Sequence, residues 1–242
     1  MIEIARLPAD DRRELFHNTA AKTGLHDAIV EKDFWVCLTL DYLFHRSPWK
    51  RRSHLRAGPA YPNLFTDAST LQVIRLEIGA LAAWTPAELV DIVPYAAEQY
   101  PQLFKQKEVP VLTVAPERTF WEKATILHHE ANRPEHLSMP QRYSRHYYDL
   151  YCMAKSPVKE KAFERLDLLQ KVVDFKMKFY PRAWARYPEA VPATLKLLPP
   201  SYRLGALQED YSAMRNMLYG EIPSFETMME AVGELEKEIH AL

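Results

Sequence analysis

The 242-residue sequence predicts an α+β protein, a small mixed sheet embedded in many helices. Residues 72–78, Gln72-Val73-Ile74-Arg75-Leu76-Glu77-Ile78, alternate around β-branched side chains and stop at Gly79, which is strand patterning. Shorter strand runs follow at Asp91–Val93 and Val109–Val114, where Pro110 assigns the second to an edge or to a strand start. From Pro116 onward apolar residues recur at helical spacing almost to the end of the chain. Few strands beside many helices is the α+β pattern.

Taken in order, residues Asp10–Thr23 read as a first helix with Leu15, Phe16 and Thr19 on one face and Gly24 as its stop. A second helix spans Asp27 to His45. It is apolar around much of its circumference (Ile29, Phe34, Val36, Cys37, Leu40, Leu43, Phe44), so it is expected in the interior. The pattern then collapses between Ser47 and Pro62. Lys50, Arg51, Arg52, His54 and Arg56 crowd together before Gly58-Pro59 and Tyr61-Pro62. This basic loop is either a solvated connection or a phosphate-binding segment. Later helices are expected at Pro116–Ala131, Tyr143–Lys155, Val158–Tyr180, Leu204–Tyr219 and Ser224–His240, with irregular chain at Asn132–Arg142 and Pro188–Pro200. The boundary falls at residue 115. Residues 1–115 hold the N-terminal helices and the sheet, and 116–242 form a helical part.

Composition narrows the function classes. Hydrophobic residues make up 48% and charged residues 26%, the balance of a soluble globular protein. With 6 Gly against 18 Pro, a glycine-rich phosphate cradle is not expected. A net charge of -1 argues against a strongly basic nucleic-acid binder as a whole, though local patches can differ. Cys37 and Cys152 form no C-x-x-C pair and lie in apolar helical contexts, so buried free thiols are expected. Met1–Asp11 has acids and no long apolar run, unlike a signal peptide. No uninterrupted apolar run is long enough for a spanning helix. The expectation is a cytoplasmic protein with no membrane association.

Two segments carry candidate chemistry. In Pro116-Glu117-Arg118-Thr119-Phe120-Trp121-Glu122-Lys123, Pro116 suits the first turn of a helix and Glu117 complements its dipole. Arg118 and Glu122 are four apart and share a face, as do Thr119 and Lys123. In Arg145-His146-Tyr147-Tyr148-Asp149-Leu150-Tyr151, Asp149 has two possible partners, Arg145 on its own helix or Lys123 on the preceding one. Packed among tyrosines, its carboxylate would be partly desolvated and sensitive to that choice. Paired with Lys123, it would fix the ammonium where a triphosphate could meet it. His128-His129-Glu130 has metal-ligand residue types, but adjacent helical side chains diverge by about 100°. Histidines at a helix C-terminus are the simpler reading. Lys171, Lys176, Lys178, Arg182 and Arg186 interleave with Phe175, Phe179, Tyr180 and Trp184. They form either an RNA-contacting face or a solvated amphipathic helix with a core stripe.

These motifs, together with Glu31-Lys32-Asp33-Phe34-Trp35-Val36, Arg75-Leu76-Glu77-Ile78-Gly79-Ala80 and Leu197-Leu198-Pro199-Pro200, occur in an order that resembles the AbiEii/AbiGii family of nucleotidyltransferase-like toxins. The family belongs to bacterial abortive-infection and toxin–antitoxin systems. The resemblance implies a core like that of DNA polymerase β-type nucleotidyltransferases with helical additions. It implies transfer of a nucleotide from a nucleoside triphosphate, with magnesium, onto an acceptor, which in related toxins is the 3′ end of tRNA. It also implies a cognate antitoxin. Lys123 matches the family's lysine and would bind the triphosphate. Asp149 matches the later aspartate and would hold that lysine or the nucleotide, with Arg118 and Glu77 nearby.

One departure is large. The family's Gly-Gly-Thr-Ser turn and its Asp-x-Asp carboxylates, which hold the metals, do not occur in this sequence, and Asp67 stands alone between Thr66 and Ala68. No metal ligand is assigned. Either the hairpin has been lost, leaving a non-catalytic module that binds protein or RNA, or residues are omitted around the join at Arg51–Pro62.

Overall fold

The computed structural model describes residues 1–46, 85–218 and 220–242. The expected strand at Gln72–Ile78, the basic loop, Glu77 and the Arg51–Pro62 join lie outside the described residues. Among the described residues helix dominates, and one two-stranded antiparallel sheet completes the α+β architecture. The chain divides into two compact units, Met1–Ile78 with Glu88–Thr113, and Gly79–Ala87 with Val114–Leu242.

The first unit opens with a short helix, α1 (Ile2–Ala5), then α2 (Ala9–Thr23) and α3 (Asp27–Asp41). α2 stops at Gly24, which takes the left-handed conformation (φ 71°) and donates its N–H to the Ala20 carbonyl. Only glycine adopts that geometry without steric cost. α3 buries Phe34 and Cys37, with the Phe34 ring 5.5 Å from that of Phe16, whereas Phe44, expected inside, is 47% exposed because it lies past the end of the regular helix. Regular helix ends at Asp41 rather than His45. A wider π-turn, Tyr42–Arg46, follows and places His45 where its Nε2 donates to the Pro110 carbonyl at 2.9 Å.

β1 (Ala87–Ile92) precedes α4 (Tyr95–Gln99), and β2 (Val109–Val114) carries Pro110 at its second position. Val109 and Val111 point into the core of this unit, as alternation requires. The Glu31–Val36 motif is structural in this unit. Phe34 fills the core, and Asp33 Oδ2 accepts the Tyr95 N–H at 2.7 Å where α4 begins. Burial pushes the Asp33 carboxyl up to about 6.

The second unit is built on α5 (Pro116–Ala131), against which pack α6 (Ser144–Ala154), α7 (Val158–Phe163) and α8 (Leu166–Phe179). α9 (Leu204–Ala213) and α10 (Phe225–His240) complete it, and Ser224 caps α10 by accepting the Thr227 N–H. Phe120, Trp121, Ala124 and Leu127 of α5 are fully buried with Leu150, Leu168, Leu207 and Val232.

Two expected helices are shorter than their patterns. Val158–Tyr180 breaks near Arg165, because the Ala162 carbonyl accepts both the Arg165 N–H and the Trp121 indole N–H (3.0 Å). The helix from Leu204 ends at Ala213 and passes into a single 3₁₀ turn, Arg215–Met217. Cys37 is buried, but Cys152 is exposed, because on α6 the core takes Tyr147 and Leu150 instead.

α6 receives its cap from far along the chain. Asp210 on α9 accepts the N–H of Arg142 (2.6 Å), the N–H of Ser144 (2.9 Å) and the Ser144 hydroxyl (2.6 Å). Arg142 adopts a left-handed φ of 61° to bring its amide into line. A carboxylate at a helix N-terminus satisfies orphan donors and complements the dipole. Asp210→Ala should therefore lower unfolding stability by about 2–3 kcal/mol, since hydrogen bonds to charged groups contribute about that much. A shift in the urea midpoint at constant slope would register it. An unchanged midpoint would show that the cap is dispensable.

Candidate functional site

α5 and α6 meet with their buried faces together and leave polar side chains along the seam. On α5, Phe120, Trp121, Ala124 and Leu127 face inward, so Lys123 falls at the edge of the buried stripe, 22% exposed. On α6, Tyr147 and Leu150 are the buried anchors, which places His146 and Asp149, three residues apart, on the flank toward α5. Lys123 Nζ lies 2.5 Å from Asp149 Oδ2 and 3.3 Å from His146 Nδ1. Asp149 therefore pairs with the lysine of the preceding helix rather than with Arg145.

His146 is buried, and its ring stands edge-on to Tyr143 at 4.9 Å. Burial lowers its pKa to about 3, and the charges of Lys123, Arg145 and Lys176 act in the same direction. It is a neutral imidazole. An ammonium only donates, so Nδ1 is its acceptor and the ring proton sits on Nε2.

Arg118 lies five residues before Lys123, on a different face of α5, and is not part of that cluster. It is 2% exposed. Its Nε donates to Glu122 Oε1 at 3.0 Å, and one terminal nitrogen donates to the Thr85 carbonyl at 2.9 Å. The other terminal nitrogen is buried without a partner among the described residues. Glu77, the remaining candidate, lies outside the described residues.

Lys176, read in the sequence as part of a basic helix face, turns inward instead. Its Nζ donates to Thr125 Oγ1 (2.7 Å) and to the Glu122 carbonyl (3.2 Å), both on the turn of α5 that carries Lys123. No carboxylate among the described residues forms an ion pair with it, and burial lowers its pKa to about 7. His146 and Lys176 are the two groups that sequence reasoning did not place here. The one available signal was the position of His146, one turn before Asp149.

His128 and His129 are not simple helix-end histidines. His128 is fully buried. Its Nδ1 accepts the Lys196 N–H at 3.0 Å, and its Nε2 donates to the Arg186 carbonyl at 3.1 Å. His129 stacks on Trp184 with centroids 4.5 Å apart. Burial first, then Arg133, Lys176 and Arg182, lowers its pKa to about 4.

Beyond Lys176 the end of α8 is aromatic and basic. Phe179 and Tyr180 are 38% and 50% exposed, with the Phe175 ring 4.8 Å and 6.1 Å from theirs. Lys178 lies over Phe179 at 5.2 Å, and Arg182 over Trp184 at 5.8 Å.

The carboxylates along α5 and α6 do not fit the magnesium implied by the resemblance. Asp149 is held by Lys123, Glu122 by Arg118, and Glu130 by Arg133, which leaves Glu117 in the first turn of α5 by itself, too few for a metal site. No group of three or more potential ligand side chains among the described residues could hold a metal ion. No helix among the described residues is long and apolar enough to cross a membrane.

The depressed histidines make an acid-side prediction. Unfolded imidazoles take up protons near pH 6.5, whereas His129 and His146 stay neutral until about 4 and about 3. Protons therefore favour the unfolded chain between those limits. Their contribution to stability should be complete above pH ~6.5 and decline as pH falls through 5 toward 4. Thermal melts of the wild type and of His129→Gln across that range check this. Equal pH slopes would contradict it.

Comparison with curated proteins and with solved structures gave no match. A family model described as "Nucleotidyl transferase AbiEii toxin, Type IV TA system" matches residues 39–231, a span that begins within α3, ends within α10 and contains the Lys123–His146–Asp149 cluster. The chain belongs to the AbiEii nucleotidyl transferase toxin family of type IV toxin–antitoxin systems.

Proposed function

We propose that this chain is a toxin that transfers a nucleotide from a nucleoside triphosphate to tRNA, with Lys123 gripping the phosphate tail. The supporting observation is the Lys123–Asp149 pair, an ammonium and a carboxylate from successive helices at 2.5 Å. Asp149 holds the ammonium in place. A phosphate oxygen approaching from solvent then meets a positive charge whose orientation is already set. In the reaction, an acceptor hydroxyl oxygen bonds to the α-phosphorus, the bond to the β-phosphate oxygen breaks, and pyrophosphate leaves as the hydroxyl gives up its proton. Lys123 would offset the charge that builds on the departing pyrophosphate. No step is assigned to a metal, because the described carboxylates do not fit one. Arg118, anchored to Glu122 and Thr85, supports the first turns of α5 and adds positive potential. Glu77 is a further candidate for the same site.

An RNA acceptor is supported by the end of α8. Exposed aromatic rings give bases a stacking surface, and cations that form no ion pair among the described residues attract phosphates. Lys176 bonds to the turn of α5 that carries Lys123, so this surface begins beside the proposed phosphate site. The cellular partner would be a cognate antitoxin, and the setting cytoplasmic.

Lys123→Ala should weaken triphosphate binding by at least about tenfold, the effect of losing a charge-assisted contact. It should also abolish transfer of radiolabel from an α-labelled nucleoside triphosphate to total tRNA. Wild-type affinity in the variant would refute the role of Lys123. A wild-type chain that binds triphosphate and tRNA but transfers no label would be the non-catalytic binding module.

A further inference from the structure

Lys123 carries three N–H donors. Its two partners among the described residues are Asp149 Oδ2 at 2.5 Å and His146 Nδ1 at 3.3 Å. The side chain remains 22% exposed, and its third donor, without a partner among the described residues, is left for a ligand. A lysine held only by a carboxylate can swing about that contact, because an ammonium on a four-carbon stem has no preferred plane. A second acceptor on the same helix removes that freedom.

From this geometry we infer that His146 is a positioning residue of the nucleotide site, an acceptor that fixes the Lys123 ammonium so that its third N–H faces the phosphate. The inference rests on the triphosphate reading of Lys123.

The surroundings of the ring support neutrality. Lys123 faces it from α5 and Lys176 from α8, while Arg145 and Asp149 flank it on α6. Three cations close to a buried imidazole oppose its protonation. The consequence is chemical. A protonated ring would repel Lys123 and offer no lone pair, so the acceptor role needs the uncharged form with the proton on Nε2. The ring also shields the contact, since His146 is 7% exposed and packs edge-on against Tyr143 at 4.9 Å. A chloride or water molecule therefore has little room to replace it.

Two variants separate positioning from packing. His146→Asn presents an amide oxygen near the place of Nδ1, whereas His146→Leu fills much of the space with no acceptor. Triphosphate binding to the full chain would be measured by calorimetry with all four nucleoside triphosphates, beside melting temperatures for each variant. The expected result is a loss of about fivefold or more in affinity for His146→Leu and recovery to within about threefold for His146→Asn. Ring ¹⁵N spectra of the wild type should show a bare Nδ1 and a protonated Nε2 from neutral pH down to about 5, below the ordinary histidine pKa.

Equal affinity in His146→Leu and the wild type, or a protonated Nδ1 at neutral pH, would overturn the inference. So would affinities that simply follow melting temperature across both variants. If the wild type binds no triphosphate, the reading of Lys123 fails first. The ring spectrum would still decide whether His146 is the neutral acceptor.

Discussion

Helix α5 packs against α6, α7 and α8 at once, and that enclosure dictates where its polar groups must go. A buried donor or acceptor left without a partner costs about 1–3 kcal/mol, so a helix hemmed in this way turns most of its polar side chains onto partners. Trp121 gives its indole proton to the Ala162 carbonyl. Thr125 accepts from Lys176, and His128 bridges the chain at Arg186 and Lys196. Arg118 takes Glu122 and Thr85. Each bond fixes a rotamer as well as an energy. Lys123 is the α5 cation that remains both anchored and partly open to solvent.

The residues that define α5 and β2 could be read directly, because their limits are local matters. Pro116 starts a helix by its own stereochemistry, and the Val109–Val114 strand alternates around a proline near its start. Lys123 and Asp149 were legible as a pair because their motifs recur in a family. What stayed hidden depends on partners distant in sequence. Nothing near Ala162 indicates that its carbonyl will be shared with an indole from α5, so one long helical pattern concealed two helices. Lys176 looked solvated, since its inward turn depends on a hydroxyl at Thr125. His146 could not be assigned because the same imidazole can donate, accept or carry charge. The choice is made by Lys123, Arg145 and Lys176 around it.

The sign of the local field separates ligand classes. Along α5 and α6 the carboxylates of Glu122, Glu130 and Asp149 each already have a cation. Among the described residues Lys176 has only a carbonyl and a hydroxyl as partners, and Lys178 and Arg182 lie against aromatic rings. Around Lys123 and Lys176 the uncompensated charge among the described residues is therefore positive. A free divalent cation is disfavoured at such a place, and a polyphosphate or an RNA backbone is favoured. Burial first and then neighbouring cations depress the proton affinities of His129 and His146, whereas burial alone depresses that of Lys176.

Precision at the seam also depends on a residue far from it. Successive positions on a helix differ by about 100° in direction, so a small rotation of α6 would carry Asp149 and His146 away from Lys123. Two restraints oppose it. Tyr147 and Leu150 are locked into the core, which sets the face of α6 that meets α5. Asp210 binds the amides of Arg142 and Ser144 and the Ser144 hydroxyl, which sets where the helix begins. An N-cap drawn from the helix's own sequence would stabilise α6 without tying it to anything else. A carboxylate supplied by α9 ties its start to the remainder of the unit. Formation of the Lys123–His146–Asp149 arrangement thus becomes conditional on assembly of the whole helical unit rather than on α5 and α6 alone.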